Sequence, residues 1–285
     1  LDIKNAGGSG TLEVDNIGAG EEGVTNATRI GNAATTQLTL DGTVYNANAA
    51  TYTAAAAGQV IDLTGAATTT FTSTADAITF ATGTVELANG TSLVVNAAGG
   101  DIGLVAIKGT SIEDVTLNAA AGDVTVGEIG AAATEINVVA ITGATINLGG
   151  NINTDDDGAG QAGNVGLTGA VVLTGAVTID TDAANGQVTL SSTLDGAQTF
   201  AISSGFGAVR IQGVTGGTTA LTSLTIIAAG IGTIEVNNIG AGAAGVTVVP
   251  RIGNAATATM TLDGTVYNAN AATYTAAAGN TIDLT

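Results

Sequence analysis

The sequence predicts an all-β protein that folds as a parallel β-helix, or β-solenoid, with coils of roughly 20 residues stacked into an elongated rod. Three observations support this prediction: short apolar-polar-apolar triplets recur along the chain, clusters of Gly, Ala, Asn and Asp separate them, and bulky side chains are scarce. Alternation with a period of two places the aliphatic side chains on one face of a strand. No segment shows the spacing of an amphipathic helix.

The triplets define the expected strands. They are Val115-Thr116-Leu117, Val124-Thr125-Val126, Ile136-Asn137-Val138, Ile146-Asn147-Leu148, Val165-Gly166-Leu167, Val177-Thr178-Ile179, Val188-Thr189-Leu190, Phe200-Ala201-Ile202, Val209-Arg210-Ile211 and Leu224-Thr225-Ile226. Alternate triplets recur at a spacing close to the length of one solenoid coil, as from Val115 to Ile136 and from Val188 to Val209. A unit of two strands and two corners with this length is typical of one such coil.

Composition limits how such coils are filled. The chain contains 43 glycines, one proline, four Phe, four Tyr and no Trp, His or Cys, yet 45% of its residues are hydrophobic. This apolar content favours folding over disorder, and small and β-branched side chains fill only narrow layers. A membrane β-barrel is disfavoured because its aromatic girdles are missing. A two-sheet sandwich remains an alternative for part of the chain, because closely spaced turn signals also suit that fold.

A long internal repeat organises the chain. Residues 39–56 recur letter for letter at residues 261–278, an offset of 222. We divide the chain into residues 1–64, the start of copy A; residues 65–222, the remainder of the same period; and residues 223–285, the start of copy B. One full period followed by the opening of the next predicts a segment of a longer tandem array, folded as one continuous solenoid.

Charge and missing residue types exclude several functions. The chain contains five Lys and Arg residues and 24 Asp and Glu residues, and the resulting net charge of −19 repels nucleic acid. Without His or Cys the chain cannot form a Ser-His or Cys-His nucleophile or a His- or Cys-based metal site. Its apolar runs are too short for a transmembrane helix. We therefore expect no enzyme activity, no required cofactor and no transmembrane segment.

One acidic cluster is a candidate calcium site. Asp155, Asp156 and Asp157 precede Gly158 and Gly160, and hard oxygen ligands on a glycine-containing loop suit calcium. The spacing differs from the EF-hand and from calcium-binding nonapeptide repeats, and a solvated turn is the alternative interpretation. Asp180 and Asp182 form a second, poorer candidate of the same kind.

All four tyrosines lie at equivalent points of the two copies, as Tyr45, Tyr52, Tyr267 and Tyr274. A phenol offers apolar area together with a hydroxyl, so these residues are candidate contact points between neighbouring rods or with a ligand. The alternative is that they cover a widened coil inside the rod.

The stretch 163–230, about a quarter of the chain, resembles the repeats of giant bacterial surface proteins of the filamentous-haemagglutinin-like and β-strand-repeat kind. The phrases that carry this resemblance are Gly163-Asn164-Val165, Thr178-Ile179-Asp180-Thr181, Gly186-Gln187-Val188-Thr189-Leu190, Leu194-Asp195-Gly196-Ala197-Gln198 and residues 216–225. The resemblance implies a secreted, cell-surface or filament-forming protein with a right-handed parallel β-helix. The near-absence of Lys departs from many such adhesins and leaves the particular family open.

These observations favour a structural or adhesive segment of a prokaryotic cell-surface protein or extracellular filament. Its expected partners are further copies of itself, end to end or side by side, and cell-surface glycans or neighbouring cells. A second hypothesis is a flat face with Thr68, Thr69, Thr70 and Thr72 that binds ice or a glycan. A third, remote hypothesis is a polysaccharide-acting β-helix enzyme.

Overall fold

A computed structural model describes residues 1–6, 10–18, 23–55, 58–110, 112–154, 163–181, 185–228, 232–243 and 245–285. These residues form β-strands and turns and, within the described ranges, no helix. The chain divides into two compact units: unit 1 comprises residues 1–136 and 141–144, and unit 2 comprises residues 137–140 and 145–285. This division does not coincide with the boundaries of the long sequence repeat.

The first fourteen strands lie in unit 1. They are β1 (Asp2–Ile3), β2 (Gly10–Val14), β3 (Thr28–Gly31), β4 (Thr35–Leu40), β5 (Val44–Asn46), β6 (Ala50–Thr53), β7 (Val60–Leu63), β8 (Thr68–Thr72), β9 (Ile78–Thr82), β10 (Thr84–Leu87), β11 (Ser92–Asn96), β12 (Ile102–Lys108), β13 (Asp114–Asn118) and β14 (Val124–Ile129). Strand β15 (Val138–Leu148) contributes residues to both units.

The remaining strands lie in unit 2. They are β16 (Ile152–Asn153), β17 (Val165–Leu173), β18 (Val177–Asp180), β19 (Val188–Leu190), β20 (Leu194–Asp195), β21 (Thr199–Ser204), β22 (Val209–Ile211), β23 (Ser223–Ala228), β24 (Thr233–Val236), β25 (Arg251–Ile252), β26 (Thr259–Leu262), β27 (Thr273–Tyr274) and β28 (Thr281–Leu284).

Unit 1 is a parallel β-solenoid with three ladders of strands. The first ladder runs β1–β3–β6–β9–β12–β14, and the second runs β2–β4–β7–β10 and continues on the second half of β12. The third runs β5–β8–β11–β13. Every pair is parallel, so each coil extends the three sheets by one strand, as the solenoid prediction requires.

Unit 2 repeats this arrangement. One ladder runs β16–β18–β21–β23–β25–β27 and another runs β17–β19–β22–β24–β26–β28. The third ladder is thinner: the end of β17 pairs with β20, and the series continues as single bridges through Thr215, Ile239 and Tyr267. The all-β parallel solenoid predicted from sequence is therefore confirmed within each unit.

Many coils are longer than the sequence suggested. Val188 stacks on Val209, which is the predicted spacing, but Ala50 stacks on Ile78 after a clearly longer stretch of chain. Both coils contain three strand positions, since the coil from Val188 to Val209 includes β20 between β19 and β21, whereas the sequence suggested two strands and two corners per coil. In unit 2 the third position was missed because it shrinks to the short strand β20 or to a single bridge, which leaves no apolar triplet.

The predicted triplets coincide with strands in all but one case. The exception is Ile136-Asn137-Val138, where only Val138 belongs to a strand and Ile136 forms an isolated bridge. Aliphatic side chains point inward and the alternating residues point outward, for example in β13, where Val115 and Leu117 are fully buried. Within each unit the core is thus a stack of layers, each made of a few inward-facing side chains.

The corners require left-handed backbone at several positions. Gly31 has φ of 80°, and a Cβ there would lie 2.0 Å from the carbonyl oxygen of Thr53. Its repeat equivalent Gly253 has φ of 78° and meets the carbonyl oxygen of Thr275 at the same distance. Only glycine fits these positions. The two copies therefore share this backbone conformation as well as their sequence.

Alanine occupies other left-handed corners at a cost. Ala120 is exposed and has φ of 52°. We expect Ala120→Gly to raise the free energy of unfolding by about 0.5–1 kcal/mol. Glycine removes the steric clash that a Cβ makes in left-handed backbone, and this gain exceeds the loss that comes from the greater conformational entropy of glycine in the unfolded chain. Thermal unfolding measures this change. The neighbouring exposed Ala121 has no positive φ, so Ala121→Gly is expected to lower stability, and equal effects at both positions would contradict the explanation.

Candidate functional site

The strongest candidate feature is a corner built around the first tyrosine of each repeat. The Tyr45 hydroxyl donates to the carbonyl oxygen of Val14 (2.8 Å) and accepts the backbone N–H of Gly42 (3.0 Å). The side-chain oxygen of Asn16 accepts the N–H groups of Thr43 (2.8 Å) and Val44. Together these bonds fix the turn that precedes β5. We call this arrangement the Asn-Tyr corner.

The Asn-Tyr corner recurs in copy B. The Tyr267 hydroxyl donates to Val236 (3.0 Å) and accepts the N–H of Gly264 (2.7 Å). Asn238 accepts the N–H groups of Thr265 and Val266, both at 2.7 Å. Each of these residues follows its counterpart at the same offset that separates the two copies. The sequence repeat is therefore also a repeat of hydrogen bonding.

Inside unit 1 the tyrosines belong to an aromatic cluster. Tyr45 stacks on Phe71 with ring centroids 4.9 Å apart, and Tyr52 stacks on Phe80 at 5.1 Å. Phe71 also meets Tyr52 and Phe80 edge to face, each at 5.0 Å. All four side chains are at most 1% exposed. Offset-stacked and edge-to-face pairs at these distances are favourable beyond the apolar area that they bury.

This placement corrects the interpretation of Tyr45 and Tyr52 as external contact points. Both rings lie in the interior, because the alternation of their strands turns them toward the core and the next coil covers them. They fill the coil, as in the alternative interpretation. Tyr267 and Tyr274 meet edge to face at 6.4 Å, close to the 6.3 Å of Tyr45 and Tyr52, but remain half-buried.

Burial also changes the acidity of these phenols. It raises the pKa of Tyr45 and of Tyr52 far above the ordinary value. It also raises the pKa of Tyr267 and of Tyr274. The hydroxyls therefore stay protonated near neutral pH and act as hydrogen-bonding groups.

Tyr45 and Tyr52 form a matched pair for mutation. The buried hydroxyl of Tyr52 has no hydrogen-bond partner among the described residues, whereas that of Tyr45 has two. We expect Tyr45→Phe to lower the free energy of unfolding by about 1–3 kcal/mol, because it leaves the N–H of Gly42 unpaired. Tyr52→Phe is expected to be neutral or stabilising by about 1 kcal/mol, because it removes an unpaired polar group. Urea unfolding measures both changes in the free energy of unfolding. A larger loss for Tyr52→Phe than for Tyr45→Phe would contradict these hydrogen bonds.

A buried carboxylate forms a second polar centre that the sequence analysis missed. Glu113 is fully buried, and its oxygens accept the N–H groups of Gly90 (2.8 Å), Thr110 (2.6 Å) and Ile112 (3.3 Å) and the hydroxyl of Thr110 (2.6 Å). Burial raises its pKa, but the hydrogen bonds together bring the pKa below the ordinary value. The only sequence signal is the spacing of Thr110 and Glu113, which follows the Thr-x-x-Glu pattern of local capping.

The candidate calcium residues Asp155, Asp156 and Asp157 lie outside the described residues, as does Asp182. Asp180 is described; it lies at the end of β18 and stacks on Ser203. Among the described residues there is no group of three or more His, Cys, Asp or Glu side chains positioned to hold a metal ion. The calcium prediction stays untested.

The threonines of the second hypothesis do not share one face. Thr69 is fully buried, whereas Thr68, Thr70 and Thr72 point outward from β8. Their neighbours in register are mostly different residues: Thr70 lies between Val44 and Val94. A longer stack occurs in unit 2, where Thr233, Thr259 and Thr281 occupy successive strands.

Two basic residues form ion pairs with acidic side chains. Arg210 pairs with Glu235 on the next strand, with Nε and a carboxylate oxygen 3.3 Å apart. Lys4 contacts Asp2 at 2.7 Å on the surface. Such exposed ion pairs contribute little to stability. They also reduce the positive charge that could attract an anionic ligand.

No helix among the described residues has the length and apolarity needed to cross a membrane. Comparisons of the chain with models of known protein families, with curated proteins and with solved structures found no match.

Proposed function

We propose that this chain is a structural or adhesive repeat segment of a secreted cell-surface protein or an extracellular filament. The recurrence of the Asn-Tyr corner at equivalent positions of copies A and B carries this proposal. A chain that repeats the packing of its coils gains stability from each neighbouring coil, so the array can be lengthened without a new core. That property suits a protein whose work is to span distance and resist force.

Two further observations support the proposal. The likeness of residues 163–230 to repeats of giant bacterial surface proteins accords with the stacked coils found in unit 2. The net charge of −19 favours solubility and disfavours unspecific binding to nucleic acid and anionic membranes. We propose further copies of the same repeat as partners, and extracellular or cell-surface location in a prokaryote.

Electron microscopy and antibody labelling of the native material test this function. An antibody raised against the folded chain should label intact cells of the source, and the labelled material should form fibres or a surface layer. Diffraction from oriented material should show a spacing of about 4.8 Å, the distance between stacked strands. Labelling confined to the cell interior, or dispersed particles without fibres, would contradict the proposal.

A surface-binding module is the second candidate, and the threonine stack of unit 2 favours it. Thr233, Thr259 and Thr281 are all exposed and lie in register. Glycan arrays and thermal hysteresis measurements test this alternative. Binding that Thr259→Lys abolishes and Thr70→Lys preserves would support it, whereas the absence of binding in both assays would remove it.

A further inference from the structure

The corner between β10 and β11 contains an exposed Asn-Gly pair, Asn89 and Gly90. In such a pair the backbone nitrogen of glycine attacks the side-chain carbonyl carbon of asparagine, because glycine has no Cβ that would hinder the approach. A new C–N bond closes a cyclic imide, the bond to the side-chain nitrogen breaks, and ammonia leaves with the proton that the glycine nitrogen gives up through solvent. Water then opens the imide to aspartate or isoaspartate. Asn89 is therefore a chemically reactive position.

The product isoaspartate would disrupt this corner, because it adds a further carbon atom to the main chain. The corner is anchored to the preceding coil on both sides of Asn89. The N–H of Ala88 donates to the carbonyl oxygen of Leu63 (3.0 Å), and that of Ser92 donates to the carbonyl oxygen of Ala67 (2.7 Å). A longer main chain between these two anchors would shift β11 out of its register on β8. Deamidation here would thus damage the stacking of the coils.

The reactive nitrogen is held by the buried carboxylate of Glu113. The N–H of Gly90 donates to this carboxylate at 2.8 Å. The N–H of Thr91 donates to the carbonyl oxygen of Ala88 (2.8 Å) and closes the turn. Within the turn, Gly90 has φ of 83°, whereas Asn89 has no positive φ. This combination is typical of a type II turn with Asn89 and Gly90 at its two central positions.

A type II turn holds this peptide in an orientation that prevents ring closure. Closure requires the Cβ–Cα–C–N torsion of Asn89 to approach zero, so that the nitrogen of Gly90 can reach the side-chain carbonyl carbon. The ψ of about +120° at this position of a type II turn leaves that torsion about 120° away from zero. The peptide must rotate before it can react, and the rotation removes the Gly90 N–H from Glu113. The hydrogen bond therefore opposes the first step of the reaction.

We propose that Asn89 is a deamidation site that the carboxylate of Glu113 keeps unreactive in the folded protein. The carboxylate fixes the peptide in its unreactive orientation and withholds the Gly90 N–H from bases in solution. Burial raises the pKa of Glu113, but its hydrogen bonds together bring the pKa below the ordinary value. The group is therefore ionised near neutral pH and remains a strong acceptor for this N–H. This protection acts wherever the protein is located and does not depend on the proposed function.

Peptide mapping by mass spectrometry tests the protection. The folded protein and a synthetic peptide of residues 84–96 are incubated in the same mildly alkaline buffer, and aspartate and isoaspartate at position 89 are measured over time. Deamidation in the folded protein should be at least about tenfold slower than in the peptide, the factor expected from one hydrogen bond to a buried charge. Hydrogen exchange of the Gly90 N–H should be slow as well, because it requires the same opening of the turn.

Two variants separate the carboxylate from the general rigidity of the corner. Glu113→Ala removes the acceptor and should raise the rate at Asn89 by about tenfold or more. Thr91→Val is the matched control, because it removes a hydroxyl of the same turn that donates to Gly65. It leaves the bond between Gly90 and Glu113 in place, so the rate at Asn89 should stay close to that of the natural protein.

The second Asn-Gly pair of the chain, Asn185 and Gly186 in unit 2, reports general unfolding. Its rate should be equal in the natural protein and in both variants. If Glu113→Ala unfolds, shown by faster deamidation at Asn185, Glu113→Asp replaces it. The shorter side chain of that variant withdraws the charge from Gly90 but keeps it in the corner, so deamidation at Asn89 should again be faster.

The proposal would be overturned if Asn89 of the folded natural protein reacted as fast as in the peptide, or if the Gly90 N–H exchanged rapidly. An unchanged rate at Asn89 in a folded Glu113 variant would also overturn it. A slower rate in such a variant would show that Glu113 promotes the reaction as a base, which is the opposite of protection. Equal acceleration by Thr91→Val would assign the slow reaction to the rigidity of the corner and not to the carboxylate.

Discussion

Phe71→Ala is expected to lower the free energy of unfolding of unit 1 by about 4 kcal/mol, the cost typical of removing a large buried ring. Phe71 is fully buried and contacts three other rings at about 5 Å: those of Tyr45, Tyr52 and Phe80. The surrounding rings cannot close the cavity completely, because their strands are held in place by the hydrogen bonds of the ladders.

Urea unfolding with circular dichroism measures the loss, and hydrogen exchange locates it. Since solenoid coils depend mainly on their neighbours, exchange should increase most in β5, β8 and β11. Phe206→Ala is the control: Phe206 is 47% exposed, so its removal should cost less than about 0.5 kcal/mol. A loss below about 1 kcal/mol for Phe71→Ala would mean that the aromatic cluster is not part of a rigid core.

The solenoid itself was predictable because its signal is local. In β13 and β19 a buried aliphatic residue, an outward residue and another buried aliphatic residue follow one another, and this period of two is visible without any tertiary information. In unit 2 the third strand position was not predictable. At Thr215 it consists of a single residue, which forms one bridge to Leu194 in the preceding coil and one to Ile239 in the following coil.

The orientation of the tyrosines also could not be predicted from the local sequence pattern. In Val44-Tyr45-Asn46 the alternation places Tyr45 opposite Val44 and Asn46, but it does not say which side faces the core. Burial of the ring is decided by the next coil, where Phe71 stacks on Tyr45. A sequence reading that compared neighbouring coils for aromatic residues in register would have found this arrangement.

Glu113 illustrates a different limit. Acidic residues at the start of a strand, here Glu113 and Asp114, normally indicate a solvated corner, and nothing near Glu113 in the sequence shows that the distant Gly90 donates to its carboxylate. The buried charge is compensated by local hydrogen bonds from Thr110 and Ile112 and by one from Gly90 in the preceding coil. Such a group is visible only when the stacking register is known.

Replacing the carboxylate of Glu113 tests whether its hydrogen bonds compensate for the buried charge. We expect Glu113→Gln to lower the free energy of unfolding by about 3 kcal/mol, because an amide nitrogen then faces N–H or hydroxyl donors of Gly90 or Thr110. Glu13→Gln is the control, since Glu13 is exposed and its change should remain within about 0.5 kcal/mol. Equal losses for the two variants would show that general charge reduction, and not the buried hydrogen bonds, is responsible.

The loss should depend on pH in a defined direction. The folded pKa of Glu113 is lowered, so its contribution to stability is fully present above the pKa of an unfolded glutamate, about 4.3, and is lost as the pH falls through the lowered folded value. The difference in unfolding free energy between the natural protein and Glu113→Gln should therefore be constant from about pH 6 to about pH 5 and shrink in more acidic solution. Urea titrations of both proteins at each pH measure this difference and cancel the protonation of the other carboxylates. A difference that grows on acidification would mean that burial of the charge outweighs the hydrogen bonds from Gly90, Thr110 and Ile112.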